Sequence, residues 1–124
     1  MDRFVSCSGP TRTLQSGSLF EQIPRELPEE LIQTLYSAEQ IRIERIVSRG
    51  QASPEGFWYD QEQAEFVLLV TGSAGLRIEG RDEILVLKPG DYLNIDAHLK
   101  HRVEWTHAEC DTVWLAVHLP SELP

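Results

Sequence analysis

The chain has 124 residues, of which 41% are hydrophobic and 25% are charged, as is usual for one soluble globular domain. Its 20 acidic and 11 basic residues give a formal net charge of −9, which argues against general binding to nucleic acid or to anionic membranes. No apolar run approaches the roughly 18–20 residues that cross a bilayer, and the first residues lack the apolar core of a signal peptide. We therefore expect a cytoplasmic protein whose two cysteines, Cys7 and Cys110, are reduced thiols.

The first forty residues divide into two segments of different composition. Residues 1–18 are rich in serine, threonine and glycine, so we expect a flexible leader there. Residues 19–39 are more apolar, and Pro28 followed by two glutamates suits the first turn of a helix. Four apolar residues follow at helical spacing: Leu31, Ile32, Leu35 and Tyr36. The spacing predicts one short amphipathic helix over residues 28–38.

From residue 40 onward the pattern changes to short apolar runs separated by turns. The runs typical of strands are 41–47, 57–59, 65–70, 76–78, 84–87, 92–95, 102–105 and 112–118. A tight turn is predicted at 88–91, where Pro89 and Gly90 occupy positions that suit their backbone preferences. Many short strands at a spacing of roughly ten residues predict an all-β sandwich or barrel over residues 40–120, with the short helix before it.

The run at 65–70 is apolar on both faces, whereas a strand packed on one face alternates with polar residues. Its second face needs a cover, which either the 28–38 helix or a second subunit would supply, and we expect a homodimer. Glu65 begins this run. A carboxylate that faces a core needs a partner, or its pKa rises. An inward Glu65 therefore indicates either a functional role or a buried pair with His101 or Arg102.

Two glycine-bounded segments, residues 56–72 and 90–105, resemble the two motifs of the cupin superfamily. Four positions keep the motif spacing: Glu65, Gly72, Gly90 and His101. The resemblance covers residues 40–118 and extends to small bacterial single-domain cupins of unassigned function. It implies a double-stranded β-helix, or jelly roll, of the RmlC-like type, with an interior cavity at the barrel mouth.

Cupin metal sites usually take two histidines and a carboxylate from the first motif and one histidine from the second. Counting back from Glu65 over three residues places Tyr59 and Gln61 at the histidine positions. Counting back over four residues places Trp58 and Asp60 there instead. In the second motif, proline, glycine and asparagine are replaced by Asp96, His98 and Trp105. The resemblance thus implies a reduced ligand set: His101, Glu65, Gln61 and Tyr59.

This ligand set is weak, because hard ions prefer oxygen ligands and borderline ions prefer imidazole, of which the set has only one. If a divalent ion binds, we expect iron, manganese, nickel or zinc. Alternation along a strand places Tyr59 and Gln61 on one face, so the geometry permits the site. His118 ends the last strand and faces either the cavity or solvent. Four further residues are expected at the pocket: Trp58, Asp60, His98 and Trp105.

Three functional hypotheses follow from these residues. In the first, the barrel binds a small molecule beside a weak divalent-metal site and performs oxygenase-type or isomerase-type chemistry. In the second, the barrel is metal-free and serves as a ligand-binding or dimeric structural module without catalysis. In the third, His101 and Tyr59 act as base and acid of a metal-independent epimerase-type enzyme. Metal content separates the first two hypotheses.

Overall fold

The computed structural model describes residues 12–121, which form two antiparallel sheets and no helix. The strands, in chain order, are β1 (Leu31–Ala38), β2 (Ile41–Ser48), β3 (Ala64–Thr71), β4 (Ala74–Ile78), β5 (Ile84–Leu87), β6 (Tyr92–Ile95), β7 (His101–Thr106) and β8 (Thr112–Leu119). The larger sheet has the order β1-β2-β8-β3-β6, and the smaller sheet has the order β5-β4-β7. Within this range no helix long and apolar enough to cross a membrane is present.

The core lies between the two sheets, because alternate side chains of a strand point to the same face. The buried core cluster draws on both sheets: Val67, Leu69, Ala74, Leu76, Leu87, Ile95, Trp114 and Ala116. Two turns border it: the predicted turn at 88–91 carries the chain from β5 in the smaller sheet to β6 in the larger one, and a turn at Gly80 closes the β4–β5 hairpin. The Asp91 N–H donates to the Lys88 carbonyl at 2.9 Å, and the Arg81 N–H donates to the Ile78 carbonyl at 3.0 Å. The predicted all-β class is confirmed.

The predicted helix over residues 28–38 is wrong, because β1 occupies most of this segment as an edge strand paired with β2. Ile32, Thr34 and Tyr36 are β-branched or aromatic residues, which favour strands. Leu35 is the extra residue of an irregularity in the pairing between Thr34 and Tyr36. One inserted residue reverses the alternation of faces, so the apolar residues acquire a spacing that resembles a helix.

The N-terminal residues before β1 cover β2. The buried Arg45 side chain of β2 donates to the carbonyls of Leu19 at 3.2 Å and Glu21 at 2.6 Å.

Exposed apolar residues remain along β1: Ile32, Leu35 and Tyr36. The predicted homodimer, for which this surface is available, stays a prediction. Residues 1–11 of the predicted leader, with Cys7, lie outside the described residues, and Cys110 is an exposed free thiol.

Gly72 joins β3 to β4 in a left-handed backbone conformation, with φ of 85°. A Cβ atom added there would lie 2.6 Å from Thr112 Cα and 2.8 Å from the Asp111 carbonyl oxygen. We expect Gly72→Ala to lower the free energy of unfolding by about 3 kcal/mol, through backbone strain and steric overlap together. Gly80→Ala is the matched control, since Gly80 has φ of 86° and no described atom within 4 Å of the added Cβ. Urea denaturation should give a loss of only about 1 kcal/mol for the control. Equal losses would contradict the steric argument.

Candidate functional site

A cavity of about 240 Å³ lies between the two sheets. Its apolar lining includes core residues: Val67, Leu76, Ile95 and Trp114. Its polar lining consists of Glu30, Arg42, Glu44, Ser48, Tyr59, Gln61, Glu65, His101 and His118. Pockets for drug-sized ligands usually measure roughly 300–1,000 Å³, so this cavity suits a smaller molecule. Nine of the sixteen lining residues are polar or charged, so the cavity suits a polar molecule.

Tyr59 and His101 are brought together by backbone pairing. The Tyr59 N–H donates to the His101 carbonyl at 2.7 Å, and the His101 N–H donates to the Tyr59 carbonyl at 3.2 Å. Residues paired across antiparallel backbones project their side chains to the same face. The two rings are accordingly stacked, with centroids 5.4 Å apart and planes inclined by 23°. Gln61, two residues beyond Tyr59, also lines the cavity, as alternation predicts.

His101 is buried and held at both ring nitrogens. Its Nδ1–H donates to the Leu99 carbonyl oxygen at 2.9 Å, because a carbonyl can only accept. Its Nε2 lies 3.6 Å from Oε1 of Glu65, and the two side chains are 7% and 11% exposed. Burial lowers the pKa of His101, but the Glu65 carboxylate and the Leu99 carbonyl outweigh it, and the pKa is raised above its ordinary value. The predicted buried pair of Glu65 with His101 is therefore present, at ion-pair distance.

The Tyr59 phenol is kept neutral by its surroundings. Burial, together with the negative charges of Glu30 and Glu65, raises the pKa of Tyr59 above its ordinary value. A neutral phenol can donate a hydrogen bond or a proton to an oxygen atom of a ligand. The cavity thus places a titrating imidazole and a neutral acid side by side.

A second buried imidazole, His118, extends this arrangement. Its Nε2–H donates to Oε1 of Glu44 at 2.9 Å, and its Nε2 lies 3.9 Å from Oε2 of Glu65. The Arg42 Nε–H donates to the other oxygen of Glu44 at 2.9 Å. His118 lies opposite Arg42 on β2 and opposite Glu65 on β3, and this register creates the network. Sequence reasoning left His118 undecided and assigned no role to Glu44 or Arg42. Alternation of polar residues along β2 was the available signal.

The four other predicted pocket residues lie outside the cavity lining. His98 and Asp60 form a surface pair at 2.8 Å, with side chains 64% and 44% exposed. The Arg102 guanidinium lies over the indole ring of Trp58, with its Cζ atom 6.0 Å from the centroid of that ring. Trp105 covers the backbone of β4, where Gly75 leaves room for its indole ring. Trp58 and Asp60 alternate with Tyr59 and Gln61 along the chain, so they face the other way.

The four predicted metal ligands, which are His101, Glu65, Gln61 and Tyr59, all line the cavity. They do not form a set that suits a metal ion. Residues 12–121 contain no group of three or more histidine, cysteine, aspartate or glutamate side chains placed to hold one. The remaining donors are a neutral amide and a phenol whose pKa is raised. A metal at this site stays a prediction.

The chain is similar to a solved structure from Ralstonia eutropha JMP134, which is provisionally named a mannose-6-phosphate isomerase. The two share 48% sequence identity over 86% of this chain and 99% of that one, with a TM-score of 0.84. No protein-family model matches this chain, and no curated protein is significantly similar to it.

Two more distant structures carry family names. A cupin superfamily protein from Desulfitobacterium hafniense DCB-2 shares 18% identity over 79% of this chain and 84% of that one, with a TM-score of 0.65. An RmlC-like cupin family protein with a double-stranded β-helix fold, from Methanocaldococcus jannaschii, shares 17% identity over 81% and 88% of the two chains, with a TM-score of 0.62. At this identity the likeness concerns the fold alone.

Proposed function

This chain belongs to the cupin superfamily, and we propose that its cavity binds a small polar molecule and isomerises it by proton transfer. The observation that carries the proposal is the buried His101, held between Glu65 and the Leu99 carbonyl with Tyr59 stacked against it. The similar Ralstonia eutropha protein has an isomerase name, which supports the same class of reaction. We also propose that the two sheets together form the double-stranded β-helix that the sequence predicts.

The proposed substrate is a small α-hydroxycarbonyl compound. Neutral His101 accepts the proton of the C–H group at Nε2, while its Nδ1–H stays bonded to Leu99. Tyr59 donates its proton to the carbonyl oxygen, where negative charge develops, and recovers one from the hydroxyl oxygen. His101 then returns its proton to the neighbouring carbon, which completes the isomerisation without an oxidant or a reductant. Glu65 stabilises the imidazolium that exists between the two transfers.

The apolar part of the lining supports this chemistry. The side chains of Val67, Leu76 and Trp114 border the same cavity as the charged groups. Electrostatic interactions are stronger where water is excluded, so the Glu65 carboxylate acts on His101 more strongly than it would at the surface.

Deuterium exchange tests the proposed reaction directly. A panel of small aldoses, ketoses and other hydroxycarbonyl compounds is incubated with the protein in D₂O, and deuterium incorporation is followed by NMR. We expect incorporation into at least one compound. His101→Gln should reduce the rate to that of buffer, and Tyr59→Phe should lower it by about 100-fold. His98→Gln is the matched control, because His98 is 64% exposed and outside the cavity lining.

The same variants distinguish the remaining hypotheses. Binding of a panel compound without exchange would replace the isomerase proposal by a ligand-binding module. Absence of both binding and exchange would overturn the proposed function. Elemental analysis by plasma mass spectrometry accompanies the assay, on protein purified without chelator. The metal-dependent hypothesis would be restored if the wild-type protein contained near-stoichiometric iron, manganese, nickel or zinc, and if His101→Gln and Glu65→Gln each removed that metal.

A further inference from the structure

The charged side chains of the cavity are unevenly paired. One guanidinium and two imidazoles face three carboxylates, so the lining carries no net positive charge even when both imidazoles are protonated. Glu44 is bonded by the guanidinium and by one imidazole, and Glu65 faces the other imidazole. The third carboxylate, Glu30, forms no salt bridge with any residue of the range 12–121. Among the described residues, the cavity lining therefore has one carboxylate without a charged partner and no cationic group without one.

Glu30 immediately precedes β1, where the pairing of β1 with β2 brings it beside Ser48. The Ser48 hydroxyl donates to Oε2 of Glu30 at 3.4 Å, a long hydrogen bond from a neutral group. Burial raises the pKa of Glu30, and the Ser48 hydrogen bond opposes this effect. Glu30 and Tyr59 line the same cavity, and the charge of Glu30 helps to raise the pKa of Tyr59. A partly buried carboxylate of this kind gains most from a positive partner.

A ligand with a phosphate or carboxylate group would bring negative charge to a lining that has no free cation, in a protein of net charge −9. A ligand with an ammonium group would supply the partner that Glu30 lacks. We propose that the cavity selects small polar molecules that carry an ammonium group, and that Glu30 binds this group. The inference rests on the proposed function, since it names the substrate class of the same cavity.

Two matched series of compounds test the charge preference. The first is 6-amino-6-deoxyglucose, glucose and glucose 6-phosphate, and the second is 1-amino-2,3-propanediol, glycerol and glycerol 3-phosphate. Each compound is titrated at equal ionic strength while the imidazole NMR signals of His101 and His118 are followed. In each series that binds, we expect the amine to bind at least about tenfold more tightly than the neutral compound, the effect of one charge-assisted hydrogen bond. The phosphate should bind most weakly.

Three variants assign the preference to Glu30. In Glu30→Gln the amine and the neutral compound should bind within about twofold of each other, as expected when one charged acceptor is lost. Glu30→Asp keeps the charge and should keep the order. Glu79→Gln changes the net charge equally at an exposed position outside the cavity lining, and should also keep the order. Tighter binding of the phosphate, or an amine preference that survives in Glu30→Gln, would overturn the inference and leave the cavity as a binding site. Absence of any signal change would overturn the proposed function as well.

Discussion

Glu65→Gln is expected to move the pKa of His101 from above its ordinary value to below it. The Glu65 carboxylate provides two of the three effects that raise this pKa, and burial, which lowers it, is the largest single effect. Without the carboxylate, burial outweighs the remaining bond to Leu99. An NMR titration of the imidazole signals measures the change. Asp60→Asn is the control, because Asp60 bonds the exposed His98 and should leave His101 unaffected.

The pairing of Glu65 with His101 also has consequences for the pH dependence of kcat/KM and of folding stability. If neutral His101 is the base, kcat/KM of the wild-type protein rises as pH increases through the raised pKa of His101. In Glu65→Gln this rise should begin at lower pH, and its plateau should fall by about 10–100-fold, because the imidazolium loses its counter-charge. The stability that protonated His101 contributes is fully present below its unfolded-state pKa and is lost as pH rises through the raised folded-state pKa. An unchanged His101 titration in Glu65→Gln would contradict the pairing.

Glu44→Leu is expected to destabilise the protein by about 3 kcal/mol, because it leaves the buried imidazole of His118 without its charged hydrogen-bond acceptor. The His118 side chain is 4% exposed and bonds Glu44 at 2.9 Å, so its Nε2–H would lose its hydrogen-bond acceptor. Arg42, whose side chain is 41% exposed, can turn to solvent instead. Urea denaturation at constant pH measures the loss.

A double-mutant cycle distinguishes loss of the hydrogen bond between Glu44 and His118 from simple loss of packing. His118→Leu in the Glu44→Leu background should recover part of the lost stability, because it removes the buried group that lacks a partner. The control is His98→Leu in the same background, since His98 is exposed and should add almost nothing. A coupling energy below about 0.5 kcal/mol between Glu44 and His118 would contradict the buried-pair interpretation.

The fold class followed from local features of the chain. Turns at Gly80 and Gly90 depend on a few neighbouring residues, and both glycines adopt positive φ, at 86° and 95°. The helix prediction over 28–38 failed because the choice between helix and strand depended on pairing with β2, which lies outside that segment. Periodicity describes one segment at a time, and one inserted residue in β1 was enough to change its apparent period.

The candidate site likewise has one part that the sequence predicted and one part that only the tertiary structure revealed. The sequence alone determined an all-β domain, and its resemblance to the cupin motifs selected Tyr59, Gln61, Glu65 and His101. Alternation along a strand, which is a property of the linear chain, was consistent with that selection. Only the tertiary structure decided that His118 turns inward to Glu44, since this contact joins residues 74 positions apart through the register of β2 and β8. It also decided that Glu30 remains without a charged partner in the cavity lining. Charge pairing inside a cavity depends on which strands become neighbours and in what register, and no local pattern specifies either.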